Sequence, residues 1–166
     1  VAVGYEDIMI TTGGSEALLF ALGSIMDPED EVIIPEPFYA NYSAFAAESS
    51  ARVVPVISNI ESGFTLPTIE EFEKTITPKT KAILICNPNN PTGTSISIEQ
   101  LKTIATNFNG IVVVDEAYID FCEKASALSL ITEFENILVL QTFSKAWGLA
   151  ALRVGVAYGN PSIIEI

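Results

Sequence analysis

Short apolar runs alternate with amphipathic segments along this chain, and turn-forming residues separate the two kinds of segment. Runs rich in valine and isoleucine, without polar alternation, are typical of strands that are buried on both faces. The runs predict seven β-strands, at Asp7–Thr11, Glu31–Pro35, Arg52–Ile57, Lys81–Cys86, Ile111–Val114, Asn136–Leu140 and Arg153–Gly159.

The segments between these strands predict helices, and two of them carry N-terminal capping signals. Thr68 and Glu71 have capping-box spacing at the start of a short acidic helix over Thr68–Ile76, and Ser97 precedes an amphipathic helix over Ile98–Phe108. Further helices are expected after Gly14 and up to about Ser49. Strands that alternate with helices predict an α/β fold, a three-layer α/β/α arrangement around a mostly parallel seven-stranded sheet.

Polar and small residues fall repeatedly just after predicted strands. They are Gly14 and Ser15 after the first strand, Asn90 after the fourth, Asp115 and Tyr118 after the fifth, and Thr142 and Lys145 after the sixth. Ligands of open parallel sheets bind at the carboxyl ends of the strands. We therefore expect these residues to meet in one site at that edge of the sheet.

Composition narrows the range of functions. The net charge is −13 and histidine is absent. A strongly acidic chain argues against nucleic acid and anionic membranes as partners, and the lack of histidine excludes His-based metal sites. Cys86 and Cys122 fit no zinc spacing and are expected to be reduced, which favours a cytoplasmic setting. No apolar run has the length of a membrane span, and the start of the chain does not resemble a targeting leader.

Lys145 and Arg153 stand in a mostly apolar run from Gln141 to Gly155. A buried lysine is costly unless it is paired or used chemically, and a buried arginine needs an anion for its fork of donors. On the expectation that both are buried, the run predicts a partner with an aldehyde and a phosphate group.

Three motifs, taken together, identify a family. Asn89-Asn90-Pro91-Thr92-Gly93, Asp115-Glu116-Ala117-Tyr118 and the run from Ser144 to Gly155 resemble the pyridoxal-phosphate-dependent aminotransferases of fold type I, class I/II. The resemblance covers nearly the whole chain. The first half, around Thr12–Leu18, is similar to aspartate-aminotransferase-like members, and the second half is similar to histidinol-phosphate aminotransferases.

The resemblance implies a role for each residue that faces the cofactor ring. Lys145 matches the lysine that forms the Schiff base (internal aldimine) with pyridoxal 5'-phosphate and then transfers the proton. Asp115 matches the carboxylate that keeps the pyridine nitrogen protonated, which makes the ring an electron sink. Asn90 and Tyr118 match the pair that binds the 3-oxygen of the ring, and Tyr39 matches the aromatic residue that stacks on it.

The resemblance also implies how the phosphate is bound. Gly14, Ser15 and Glu16 match the phosphate loop, which contributes backbone N–H groups at a helix start. Thr142 and Arg153 match the other phosphate ligands. By the same resemblance, the Glu36–Pro37 and Asn90–Pro91 peptide bonds are expected to be cis.

The resemblance is to a single large domain over residues 1–166, without the N-terminal segment and the C-terminal small domain of the family. That small domain supplies the arginine that grips the substrate carboxylate, so we expect this chain to bind the cofactor but to be a poor transaminase. The family implies an amino acid and a 2-oxo acid as substrates, and a homodimer.

Other functions stay open at this point. The same cofactor contacts serve carbon–sulfur lyases, decarboxylases and acyl-transferring synthases. A non-catalytic role is a further alternative, since an excised or chimeric cofactor domain has the same motifs. Singly, Asp115 also fits a helix cap, Tyr118 core filling, and Lys145 a surface lysine.

Overall fold

The computed structural model describes residues 3–164. Seven strands in this range form one sheet in the order β1-β7-β6-β5-β4-β2-β3. The strands are β1 Ile8–Thr11, β2 Glu31–Glu36, β3 Arg52–Ile57, β4 Thr80–Cys86, β5 Ile111–Asp115, β6 Ile137–Thr142 and β7 Gly155–Gly159. The α-helices are α1 Gly14–Ile25, α2 Asn41–Glu48, α3 Ile69–Thr75, α4 Ile98–Asn107 and α5 Pro161–Ile164.

One strand runs against the others. The pairs among β2, β3, β4, β5 and β6 are parallel, whereas β7 is antiparallel to both β6 and β1. Gly155, at the start of β7, therefore lies opposite Thr142 at the end of β6 and Thr11 at the end of β1. This reversal brings Arg153, which precedes β7, to the edge where the parallel strands end.

Helices cover both faces of the sheet, which confirms the three-layer α/β/α prediction. On one face α1, α2 and α5 pack over a core that includes Leu22, Tyr42 and Leu140. On the other face α3, α4 and the 3-10 helix Ala127–Leu130 pack over a second core. The central strands are buried between the two, because their valine and isoleucine side chains point alternately to opposite faces.

Both capping signals form hydrogen bonds. The Glu71 amide donates to Thr68 Oγ1 at 3.4 Å, and the Thr68 amide donates to Glu71 Oε2 at 2.7 Å. In the same way, the Gln100 amide donates to Ser97 Oγ at 3.3 Å, and the Ser97 amide donates to Gln100 Oε1 at 2.9 Å. The capping box predicted at the start of α3 is thus confirmed, and Ser97 caps α4 as predicted, there within a second capping box.

Three predicted strands begin later than the apolar pattern indicates, and β6 does so by one residue, at Ile137. Tyr5–Asp7 forms a 3-10 turn, so β1 starts at Ile8. Arg153 has a left-handed backbone with φ 52°, which ends a 3-10 helix over Ala150–Leu152 and delays β7 to Gly155. In residues 3–164 there is no helix with the length and apolar character needed to cross a membrane.

Candidate functional site

A cleft opens at the edge where the parallel strands end. Its empty volume, open mouth included, is about 760 Å³. All the predicted site residues except Glu16 line it, namely Gly14, Ser15, Tyr39, Asn90, Asp115, Tyr118, Thr142, Lys145 and Arg153. The fold thus brings together residues from the ends of five different strands or the loops that follow them.

Glu16 is directed away from the cleft. Its carboxylate accepts a hydrogen bond from the Thr12 amide at 2.6 Å, and its own amide donates to the Gly13 carbonyl at 3.1 Å. The hydrogen bond from Thr12 lowers the pKa of the Glu16 carboxyl. Glu16 therefore stabilises the glycine loop from behind, and its amide is already paired within the first turn of α1.

The glycine loop leaves no space for side chains on its inner side. Gly13 has φ 97°, and a Cβ there would lie 2.7 Å from Nη2 of Arg153. A Cβ on Gly155 would lie 2.4 Å from the carbonyl carbon of Gly13. Within residues 3–164, no acceptor pairs with the amides of Gly14 and Ser15 at the start of α1. These two amides are free to bind an anion in the cleft.

Arg153 and Thr142 complete this anion-binding corner. Arg153 donates to the carbonyl oxygens of Ala150, at 3.2 Å, and Thr12, at 3.4 Å, which directs its guanidinium group along the glycine loop. The Thr142 hydroxyl donates to the Val154 carbonyl at 3.3 Å and accepts from the Ser144 amide at 3.2 Å. A guanidinium group, a hydroxyl and two free amides together offer a binding site for an anion such as a phosphate group.

The expectation that Lys145 and Arg153 are buried is wrong. Both side chains are exposed, as is the segment Ala146–Leu152, because a turn and a short 3-10 helix carry it over the sheet edge. Lys145 is held at the cleft, since its Nζ lies 5.3 Å from the centre of the Tyr118 ring. The amine can therefore reach a bound ligand without first breaking an ion pair.

Asn90 and Tyr118 lie side by side on the wall of the cleft. Nδ2 of Asn90 donates to the Tyr118 hydroxyl at 3.3 Å. The neighbouring Asn89 donates through Nδ2 to the Pro37 carbonyl at 3.0 Å, which connects this loop to the loop that carries Tyr39.

Three proline peptide bonds in these loops are cis. Those of Glu36–Pro37 and Asn90–Pro91 were expected, and that of Asn87–Pro88 was not. The two loops that carry Tyr39 and Asn90 therefore have the backbone form that the resemblance implies.

Asp115 ends β5 on the floor of the cleft. Its Oδ1 accepts from the Ala117 amide at 3.0 Å, and its Oδ2 accepts from the Tyr42 hydroxyl at 2.7 Å. Burial raises the pKa of the Asp115 carboxyl, while the hydrogen bonds from Tyr42 and Ala117 and the charge of Lys145 oppose that rise. The carboxylate is thus oriented by two donors and faces a nearby cation.

Among the titratable side chains that line the cleft, sequence reasoning missed two, Tyr42 and Cys86. Tyr42 follows Tyr39 by three positions, a spacing that places both on one side of a helix start, and this was the available signal. Burial and the nearby Asp115 raise the pKa of the Cys86 thiol to about 11, so that the thiol is neutral. It donates to the Pro88 carbonyl at 3.3 Å.

Glu116, next to Asp115, points to the opposite side of the sheet. Its carboxylate accepts from Ser126 Oγ at 2.6 Å, the Ala127 amide at 2.6 Å and Gln141 Nε2 at 2.8 Å. Burial raises the pKa of this carboxyl group, and the three donors oppose that rise. Glu116 therefore connects β5, β6 and the 3-10 helix at Ala127 rather than facing the cleft.

Comparison with known proteins places this arrangement in a family. The protein-family model for aminotransferase class I and II matches residues 1–166. A histidinol-phosphate aminotransferase of Flavobacterium psychrophilum is 37% identical over 165 residues, which are 99% of this chain and 47% of that protein. One of Thermoanaerobacter pseudethanolicus is 38% identical over 160 residues, 96% of this chain and 44% of that protein. The likeness to histidinol-phosphate aminotransferases is thus not confined to the second half of the chain.

Solved structures of other aminotransferases have a similar fold over the part that this chain covers. A tetra mutant of Thermus thermophilus aspartate aminotransferase superposes with a TM-score of 0.90 at 32% identity, covering 99% of this chain and 46% of that chain. The aromatic aminotransferase from Pyrococcus horikoshii superposes with a TM-score of 0.86 at 30% identity, covering 96% and 44%. The chain spans about half the length of the relatives that it matches.

Proposed function

Because this chain belongs to the aminotransferase class I and II family, we propose that it is the cofactor-binding part of an enzyme that transfers an amino group from an amino acid to a 2-oxo acid. The expected cofactor, pyridoxal 5'-phosphate, is confirmed by this membership. The single observation that carries the proposal is that Lys145, Asp115 and Arg153 line one cleft. An amine, a carboxylate and a guanidinium group match the aldehyde, the ring nitrogen and the phosphate of that cofactor.

The donors of the cleft fit the cofactor at each of its polar groups. The free amides of Gly14 and Ser15, the Thr142 hydroxyl and the Arg153 guanidinium group would hold the phosphate. Asp115 would face the ring nitrogen, Asn90 and Tyr118 the 3-oxygen, and Tyr39 a face of the ring. When bound, the cofactor supplies the electron-withdrawing ring that stabilises negative charge at the substrate α-carbon.

Three residues of this chain would have separate roles in the reaction. Lys145 provides the amine that would meet the aldehyde, and its Nζ would move the proton at the substrate α-carbon. Asp115 would hold a negative charge next to the ring nitrogen, and a fixed carboxylate there favours the protonated form of that nitrogen. Tyr118 orients Lys145 through the contact of its ring with Nζ.

Substrate capture by this chain alone is weak in our proposal. Arg52 is paired with Glu31 at the opposite edge of the sheet, where the parallel strands begin, and Arg153 lies in the anion-binding corner. These are the only arginines in the sequence. A substrate carboxylate therefore meets no free guanidinium group within residues 3–164, and we expect cofactor binding with slow turnover.

The test is cofactor capture at a defined lysine. The 166-residue chain is incubated with pyridoxal phosphate, reduced with borohydride and mapped by peptide mass spectrometry. We expect a visible absorbance band and a covalent adduct at Lys145, both absent from Lys145→Ala and retained in Lys124→Ala, which removes an exposed lysine outside the cleft. An adduct spread evenly over surface lysines would contradict the proposal. Amino-acid and 2-oxo-acid assays of the same chain then measure turnover.

We further propose that the enzyme is a homodimer. The exposed segment after Lys145 presents Trp147, Leu149 and Leu152, and contiguous exposed apolar side chains mark contact surfaces. Sedimentation velocity tests this: the Trp147→Asp/Leu152→Asp double variant is expected to shift towards monomer.

The two cysteines are unpaired, which supports a reducing, cytoplasmic setting.

A further inference from the structure

Tyr42 joins helix α2 to the carboxylate on the floor of the cleft. Its side chain is only 1% exposed, and its hydroxyl lies 2.7 Å from Asp115 Oδ2, a contact between residues 73 positions apart. Within residues 3–164, no other side chain donates to Asp115, whose Oδ1 is paired with the Ala117 amide. One donor on each oxygen fixes the plane of the carboxylate.

The groups around Asp115 leave Tyr42 as its specific partner. Cys86 approaches from β4 as a neutral thiol that donates to the Pro88 carbonyl. Lys145 approaches from the segment after β6 and acts through its charge without a hydrogen bond. The neighbouring Glu116 carboxylate is paired with three donors of its own.

Tyr42 also contacts the aromatic residue predicted to stack on the cofactor. The rings of Tyr42 and Tyr39 meet edge to face, with centres 5.5 Å apart and an interplanar angle of 90°. On its other side, Tyr42 packs against the Phe38 ring at 6.3 Å. The buried Tyr42 side chain therefore contacts both Tyr39, which is expected on a face of the cofactor ring, and Asp115, which is expected at the ring nitrogen.

We propose that Tyr42 is a positioning residue, which holds the Asp115 carboxylate ionised and oriented towards the cofactor ring and supports Tyr39 from behind. The proposal rests on the proposed function only for the identity of the ligand. The hydrogen bond to the charged form of Asp115 offsets the effect of burial. Without the Tyr42 hydroxyl, this hydrogen bond no longer offsets the rise in pKa that burial causes, and the Asp115 carboxylate becomes easier to protonate.

The closing experiment measures Asp115 in the chain without cofactor, by carbon-13 NMR of its carboxyl group during a pH titration. In Tyr42→Phe, we expect the midpoint for Asp115 to rise by about 1–2 pH units, the value of one charge-assisted hydrogen bond. Tyr158→Phe, which removes the hydroxyl of a partly buried tyrosine outside the cleft, is the control and leaves the midpoint in place. An unchanged midpoint in Tyr42→Phe overturns the proposal.

A second measurement needs no substitution, and it tests the hydrogen bond between Tyr42 and Asp115 even if Tyr42→Phe fails to fold. In the unaltered chain, the Cζ resonance of Tyr42 is expected to shift at the pH where the Asp115 carboxyl titrates, because protonation weakens their hydrogen bond. A Tyr42 resonance that is insensitive to that step overturns the proposal.

Cofactor titrations complete the test. Tyr42→Phe is expected to bind pyridoxal phosphate about tenfold more weakly at a pH where only the variant is protonated at Asp115. Equal affinity there overturns the link to the cofactor. If the unaltered chain does not bind the cofactor, the proposed function is contradicted. The titrations without cofactor still test the hydrogen bond between Tyr42 and Asp115.

Discussion

Nη2 of Arg153 lies 3.4 Å from the carbonyl oxygen of Thr12, although 141 positions separate the two residues. The contact depends on the reversed strand β7, whose first residue, Gly155, is paired with both Thr11 and Thr142. Three distant segments thus approach each other closely enough to form one anion-binding corner. This close approach leads to the first prediction.

Replacing Gly155 by alanine should disrupt that corner. The added Cβ would lie 2.4 Å from the carbonyl carbon of Gly13 and 2.6 Å from the Gly14 amide nitrogen, so the glycine loop must move. We expect a loss of about 1–3 kcal/mol in unfolding free energy, as for other overpacked sites, and about tenfold weaker cofactor binding. Urea denaturation and absorbance titration measure the two effects.

Gly23→Ala is the matched control for this change. No atom lies within 4 Å of a Cβ at Gly23, which is inside α1. Alanine should therefore stabilise the chain by about 0.5–1 kcal/mol and leave cofactor affinity unchanged. Wild-type affinity in Gly155→Ala would show that the loop tolerates displacement.

Tyr118→Phe should weaken cofactor binding without unfolding the chain. It removes the hydroxyl that accepts from Asn90 at 3.3 Å, and it retains the ring beside Lys145. Loss of one hydrogen-bonding group corresponds to about 1 kcal/mol, or a roughly fivefold rise in the dissociation constant. An absorbance titration beside Tyr5→Phe, an exposed tyrosine outside the cleft, checks this; equal affinities would exclude Tyr118 from the cofactor contacts.

Glu31→Gln should destabilise the opposite edge of the sheet. The buried Glu31 carboxylate accepts hydrogen bonds from Arg52, Thr77 and Thr80. We expect a loss of about 1–3 kcal/mol in unfolding free energy at neutral pH, because an amide cannot accept from all three donors. Glu133→Gln, which breaks the exposed pair with Lys102, should cost clearly less in the same urea measurement.

The same glutamate should make stability depend on pH. The hydrogen bond from Thr77, with Arg52 and Thr80, lowers the pKa of Glu31 against the effect of burial. The folded chain therefore releases this proton more readily than the unfolded chain, and the stabilisation is present above the ordinary glutamate pKa and lost as pH falls through the lowered one. Unfolding free energies of wild type and Glu31→Gln should converge at acidic pH; a constant gap would contradict this assignment.

Ser97→Ala should cost about 1 kcal/mol of unfolding free energy, because it removes the acceptor for the Gln100 amide at the start of α4. Ser95→Ala, two residues earlier and outside the capping box, is the control and should change stability little. Urea unfolding at neutral pH measures both. A similar loss in the two variants would indicate a general effect of serine in this loop rather than the cap.

Much of the candidate site follows from local signals. The apolar runs place Asp115 and Thr142 at strand ends, and the pair Thr68–Glu71 and the residue Ser97 mark helix starts. Glu16 belongs to the same motif as Gly14, but its side chain turns back to the Thr12 amide. The motif specifies the path of the backbone, whereas the direction of that side chain depends on which amide of the loop lacks an acceptor.

The sequence by itself determined the strands, the capped helices, the α/β class and the family, because periodicity, spacing and motif order are properties of neighbouring residues. The tertiary structure alone decided the reversal of β7, the exposure of Lys145 and the bond between Tyr42 and Asp115. These features depend on strand direction and on the helix face that meets the sheet. Strand direction and the packed helix face are determined by contacts between segments far apart in the chain, and the local pattern of apolar and polar residues does not specify such contacts.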